Sequence, residues 1–493
     1  MSAADYKGPM TASAPPTTDR RFGPAPLVVA SNRGPLSVEA VEGEDDRISR
    51  GGGGLVSGMQ AALIRTPGAV WVCAAMNGRE RSLARQADGR LSDVPAVARA
   101  LNGEFEVRML AIDATTFRRS YNGIANATLW FLLHMLYEPA HSPVFDAAWR
   151  KRWQAYERLN RAFARALAEE AAEGATVMVQ DYHLFLVPRL LRDLRPDVRI
   201  GFFTHTSWVS SDYFRLLPDD VAREILDGML GADLLGFHTS RWAEYFTDCC
   251  RAILGREPDA DLAVFPLGVD GDALRERAHA RDCEARKREL SETVGACRVI
   301  GRVDRTELSK NVWRGLLAYR ELLRTHPEWI GRVMHLVFNY PSREELPEYR
   351  NYVEAVVELA ADIEDEFATE EWSPLMLEIG HDYPGSLAAL RMSDVLLVNS
   401  LRDGMNLVVL EGSLLSERSP AVVLSREAGA AETIGDHARL VNPFDVSQTA
   451  TALHEALSEP EPDRAANAAY LRAAAVELAP VEWFQAQLDR IQY

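Results

Sequence analysis

The chain has 493 residues, 47% of them hydrophobic and 26% charged, with a formal net charge of −18. This is ordinary globular usage in a chain too long for one hydrophobic core, so two domains of similar size are expected. The acidic balance excludes a nucleic-acid partner and an anionic membrane, both of which need a basic surface.

Residues 1 to about 24, with Pro9, Pro15, Pro16 and the Thr17-Thr18 pair, read as a disordered tail without the apolar core of a signal peptide. No apolar run reaches the length of a transmembrane helix. The cysteines Cys73, Cys249, Cys250, Cys283 and Cys297 have no metal-ligand spacing, and their odd number does not suggest a disulfide framework. A reducing, cytoplasmic compartment fits them best.

Beyond the tail, strand-like runs alternate with helical stretches. In the first half the runs are Leu27–Ser31, Val70–Ala74, Val177–Gln180, Ile200–Thr204 and Leu234–Phe237, with a helical stretch from Trp149 to Glu173. The second half repeats the theme with runs beginning at Val299, Val333, Leu375, Val395, Ala421 and Ala438. Two such sets predict an α/β protein of two doubly wound domains. The seam falls near Pro266–Asp270, where Pro and Gly break the pattern. The expected limits are 25–268, 269–479 and a final amphipathic helix over 480–493.

Several clusters stand where ligands sit in such folds, at the carboxyl ends of strands. Ser31-Asn-Arg33 follows the first strand. Arg50 and the four glycines Gly51 to Gly54 open a helix, an arrangement suited to wrapping an anion with backbone amides, although a flexible hairpin tip is the plainer alternative. Tyr121 and Trp130, with amides between them, have the makings of a sugar-binding face, although a Trp on such a helix is more often core. Asp181 and His205 terminate two runs and so share one sheet edge. Arg305 and Lys310 read as two separated cations without an acidic neighbour facing them, which suits a diphosphate, although a solvated helix start explains them as well. Arg343 adds a basic residue at another strand end. The most informative stretch is Asp394–Leu407, a buried strand breaking into the turn Arg402-Asp-Gly-Met-Asn406, with Glu411 placed to accept hydrogen bonds from a sugar diol.

Taken in order, these motifs resemble the retaining GT-B glycosyltransferases of the trehalose-6-phosphate synthase family, from about residue 27 to the end. The resemblance implies a GT-B fold with the active site in the cleft between two Rossmann-like domains. It implies transfer of glucose from a nucleoside diphosphate glucose to glucose 6-phosphate, with retention and with neither cofactor nor metal. By position, Arg305, Lys310, Gly53 and Gly54 would hold the donor diphosphate. Asp403 and the backbone of Gly404, Met405, Asn406 and Leu407 would hold the glucose hydroxyls, and Glu411 the ribose. Arg33, Tyr121, Trp130 and Arg343 would bind the acceptor, with Asp181 and His205 lining the reaction centre. A homo-oligomer is expected.

The chain also departs from the family pattern. Val179-Gln180 precedes Asp181 where Ile-His is usual, Thr306-Glu307-Leu308 replaces Leu-Asp-Tyr, and Ile379–Tyr383 diverges in the region that reads the base. GDP-glucose therefore stands beside UDP-glucose as donor. Alternatives are a relative that couples cyclitols through a nitrogen bridge and a catalytically silent nucleotide-sugar sensor. A nicotinamide-dependent dehydrogenase fits the fold but would need a Gly-x-Gly-x-x-Gly turn after the first strand, which is missing.

Overall fold

The apolar runs become parallel strands buried on both faces, as their unbroken Val, Ile, Leu and Phe content requires. The computed structural model describes residues 24–41, 46–50, 54–102 and 105–492; the expected tail and Gly53 lie outside them.

The strands are β1 Ala25–Ala30, β2 Leu36–Glu39, β3 Arg47–Arg50, β4 Val70–Ala74, β5 Glu106–Leu110, β6 Ala171–Gln180, β7 Arg199–Phe203, β8 Leu234–Phe237 and β9 Asp261–Val264. The second half supplies β10 Arg298–Arg305, β11 Val333–Tyr340, β12 Leu375–Ile379, β13 Val395–Val398, β14 Ala421–Ser425 and β15 Arg439–Val441. They form a seven-stranded sheet, order β5-β4-β1-β6-β7-β8-β9, and a six-stranded sheet, order β12-β11-β10-β13-β14-β15. Each sheet is parallel, and β2 and β3 pair separately as an antiparallel hairpin. In both sheets the strand order reverses beside the first strand, so the ends of β1 and β10 open onto crevices.

Several helices begin where a short polar side chain caps them. Asp146 Oδ1 accepts the Trp149 N–H at 2.7 Å and starts the helix Ala147–Glu170, shorter at its C-terminal end than the sequence pattern suggests because the chain enters β6 at Ala171. Thr239 and Asp382 cap the helices Ser240–Cys249 and Tyr383–Met392 in the same way.

The chain crosses from the first sheet to the second after Pro266 and returns after Leu478. The crossings touch: a Cβ on Gly268 would stand 1.5 Å from the Leu478 carbonyl oxygen, so only glycine fits there. The returning helix Pro480–Gln492 buries Trp483, Phe484, Leu488 and Ile491 in one cluster with Leu27, Met178 and Phe203 of the first sheet.

Candidate active site

Between the two sheets lies a cavity of about 1180 Å³, lined from both halves of the chain. Arg33, Tyr121, Trp130, Asp181 and His205 come from the first half; Arg305, Lys310, Arg343, Asp403 and Glu411 come from the second. All ten were singled out in the sequence, and parallel topology explains the convergence, because it brings successive strand ends to one edge.

On the N-terminal side Arg33 follows β1 and donates to the Tyr121 hydroxyl at 3.3 Å. The two groups act on one another: Tyr121 raises the Arg33 pKa, while burial of the phenol is outweighed by Arg33 and Arg343, leaving its pKa lowered. Tyr121–Leu129 winds as a π-helix before Trp130, a form often found at functional sites. Trp130 is both core and lining, 8% exposed with its ring toward the cavity. His134, not singled out in the sequence, stacks on it at 3.8 Å and also lines the cavity. Burial lowers the His134 pKa to about 4.

Asp181 has φ 73° and ψ 168°, a region nearly restricted to glycine that costs on the order of 1–3 kcal/mol. Its own N–H bonds Phe203 O at 2.8 Å, and its Oδ1 accepts the His205 N–H at 3.2 Å. Burial pushes the carboxyl up to about 7 despite the amides that favour its charge. His205 Nε2 lies 2.9 Å from Gln180 Oε1; burial, aided by His238, holds the ring neutral. Glu411 is likewise pushed up to about 7 by burial.

The expectation of cations without a facing acid is wrong. Lys310 Nζ lies 2.5 Å from Asp403 Oδ2, and Arg305 Nη1 lies 2.6 Å from Glu307 Oε1. Glu307 also holds Arg343 at 2.8 Å. Burial would raise its pKa, but Arg305, Arg343 and Lys310 prevail and hold it down at about 2. The physical reason is that three cations in a partly buried cleft need counter-charge.

Of the turn after β13, only Asp403 lines the cavity with its side chain. Met405 is buried, Leu407 packs on the first sheet's cluster, and Asn406 Nδ2 donates to Asp403 Oδ2 at 3.0 Å. Gly404 is pressed against the first domain: a Cβ there would meet His205 O at 2.0 Å, and its carbonyl accepts the Trp242 indole N–H at 3.0 Å. The helix Leu407–Leu415 starts at this turn, and Gly54 starts the helix Gly54–Arg65. Two Asp-X-Asp pairs exist in the sequence, but neither lines the cavity: Asp261 pairs with Arg490 on β9, and Asp270 caps the helix Gly271–Ala278.

Comparison with known proteins gives a consistent result. The description of glycosyltransferase family 20 matches residues 25–493. The "alpha,alpha-trehalose-phosphate synthase [UDP-forming] 2" of Aspergillus niger is 34% identical over 449 residues, covering 88% of this chain and 89% of that one. A trehalose-6-phosphate structure from E. coli, bound with UDP-2-fluoro glucose, superposes with a TM-score of 0.80 at 25% identity over 94% of this chain and 98% of that one. An alpha,alpha-trehalose-phosphate synthase (UDP-forming) from Burkholderia xenovorans, in complex with glucose-6-phosphate, gives 0.78 at 26% identity over 95% and 100%.

Proposed function

The chain belongs to glycosyltransferase family 20, and from that premise we propose that it is a trehalose-6-phosphate synthase. It transfers glucose from a nucleoside diphosphate glucose to glucose 6-phosphate, retains the α configuration and uses no metal. The observation that carries this reading is the single cavity in which Arg305, Lys310 and Asp403 face Arg33, Tyr121 and Trp130, with Asp181 and His205 between. UDP-glucose is the preferred donor, because the relatives above are UDP-forming and one is bound with a UDP sugar.

In this reading the diphosphate takes the place of one ion pair and extends another. Lys310 turns from Asp403 to the phosphates, and Arg305 meets them while still held by Glu307, joined by Gly53 and Gly54. Asp403 is then free to accept glucose hydroxyls beside the amides of Gly404, Met405, Asn406 and Leu407, where the start of the helix adds positive potential. Glu411 takes the ribose. On the other side Arg33, Tyr121, Trp130 and Arg343 take the acceptor and its phosphate.

Charge grows on the departing diphosphate as the glycosidic bond breaks, so fixed cations there stabilise the transition state more than the ground state. The acceptor hydroxyl attacks from the leaving group's face and passes its proton to the departing phosphate. Asp181 suits a positioning role better than a nucleophile's, because its Oδ1 is held by the His205 amide and burial favours its protonated form. Domain limits of 25–268 and 269–479, with 480–493 returning, let the halves close over the reaction and exclude water. Cytoplasmic residence agrees with five unpaired cysteines.

A donor panel tests the reading. Purified protein is incubated with glucose 6-phosphate and, separately, UDP-, GDP- and ADP-glucose. Turnover of UDP-glucose well above the others is expected, whereas a clear preference for GDP-glucose would overturn the donor assignment.

A further inference from the structure

We propose that Glu307 is a positioning residue that ties Arg305 and Arg343 into one prearranged cluster, so that donor and acceptor phosphates are aligned on a shared carboxylate. The inference rests on the functional reading above, which gives Arg305 to the donor and Arg343 to the acceptor.

Glu307 lies in the loop between β10 and Lys310 and is 0% exposed. Its Oε1 takes three contacts at once: Arg305 Nη1 at 2.6 Å, Arg343 Nη1 at 2.8 Å and the Ser342 hydroxyl at 2.8 Å. Its Oε2 is buried without a hydrogen-bond partner. A carboxylate so placed is expensive in a folded protein, and such an orphan calls for an explanation in function or strain.

The two guanidinia explain why a charge is kept there, both of them on Oε1. Their central carbons approach the same Trp130 ring, Arg343 at 4.0 Å and Arg305 at 5.5 Å, so they would repel one another without a charge between them. Arg343 is further constrained by its backbone, at φ 46°, and by Tyr182, whose hydroxyl its Nη2 reaches at 3.5 Å. Glu307 fixes the separation of two cations that must each meet a different phosphate. Removing its charge makes the cleft more positive, which favours phosphate binding, yet it frees the guanidinia to move, which harms alignment.

That opposition gives a test a purely structural carboxylate would fail. Glu307→Gln, Glu307→Asp and the parent are compared in steady-state kinetics with UDP-glucose and glucose 6-phosphate, and in calorimetric titration with UDP. The expected result is a kcat roughly a hundredfold lower in E307Q, the scale of a small misplacement of reacting groups, with UDP bound at least as tightly as by the parent. E307D should recover most of the kcat. A parental kcat in E307Q, or weakened UDP binding with kcat intact, would overturn the proposal. If E307Q does not fold, Ser342→Ala, which removes only the third contact on Oε1, should lower kcat several-fold at unchanged KM, and an unchanged kcat would overturn it. Parental turnover keeps the outcomes apart: an inactive parent defeats the functional reading, while an active parent with an unaffected variant defeats only the role of Glu307.

Discussion

Arg343, from the loop after β11, holds its guanidinium carbon 4.0 Å from the centroid of the Trp130 ring, across the cleft in the other domain. A contact of this kind between partly desolvated groups is worth about 2 kcal/mol, and in the proposed account it sets one wall of the acceptor side. Trp130→Leu is therefore expected to raise KM for glucose 6-phosphate roughly tenfold or more, and Arg343→Ala to raise it further, with little change in donor KM. Steady-state kinetics with each substrate varied in turn would check this. Equal effects on both substrates would remove the pair from the acceptor side.

Arg305 and Lys310 face the diphosphate in the same account. Replacing either with Ala should lower kcat/KM for the donor by roughly two to four orders of magnitude, the range for loss of a preorganised charge-stabilising group. The Lys310 variant also strips Asp403 of its 2.5 Å partner, so its thermal stability should be measured alongside. Full turnover in both variants would leave the cations with a surface role.

Much of this site is legible in the sequence because parallel strands advertise themselves. β10 to β15 are all visible as apolar runs, and residues that follow β10, β11, β12 and β13 line the cavity. β5, Glu106–Leu110, escapes that reading because Glu106 and Arg108 break the run, and β9, Asp261–Val264, because its apolar stretch is short and ends at Pro266. The β2–β3 hairpin escapes it because it is short and pairs outside the main sheets. Glu307 was hidden by its own neighbours: the spacing of Arg305 and Lys310 suggests free cations, and only the fold shows that the side chain between them turns inward. His134 is a lone histidine on a helix in sequence, and nothing local tells that its ring meets Trp130 at the cleft.

Stability should report on the two carboxyls that burial pushes up to about 7, Asp181 and Glu411. Each holds its proton more tightly folded than unfolded, where values near 4 apply. Their contribution is thus complete below about pH 4 and is lost as pH rises through 7. For Asp181 the ceiling is about 4 kcal/mol, and water in the cleft screens part of it. Melting temperatures at pH 5 and pH 8 should fall less steeply in Asp181→Asn and Glu411→Gln than in the parent, and parallel curves would refute the assignment.

Behind the cavity the halves are latched. Arg402 donates to the Trp208 carbonyl and to Glu427, each at 3.1 Å, while Glu432 accepts the Ser240 N–H at 2.8 Å. Arg402, Glu427 and Glu432 belong to the second domain and Trp208 and Ser240 to the first, so the Arg402–Trp208 and Ser240–Glu432 bonds must break or slide if the cleft opens. Arg402→Ala should shift the unliganded protein toward a more open form, seen as a larger radius of gyration in small-angle scattering, and UDP should reverse the change. An unchanged radius in both states would remove the latch from the account.

The central claim is transfer of glucose onto glucose 6-phosphate with its configuration kept, and one measurement addresses it without intermediaries. The protein is mixed with glucose 6-phosphate and UDP-glucose labelled with carbon-13 in the glucose, in the presence of a metal chelator, and the product is followed by nuclear magnetic resonance. The account predicts an α,α-linked disaccharide phosphate that accumulates at the rate of UDP release and is indifferent to the chelator. Release of UDP without a disaccharide phosphate, or a product with the β configuration at the transferred carbon, would contradict it.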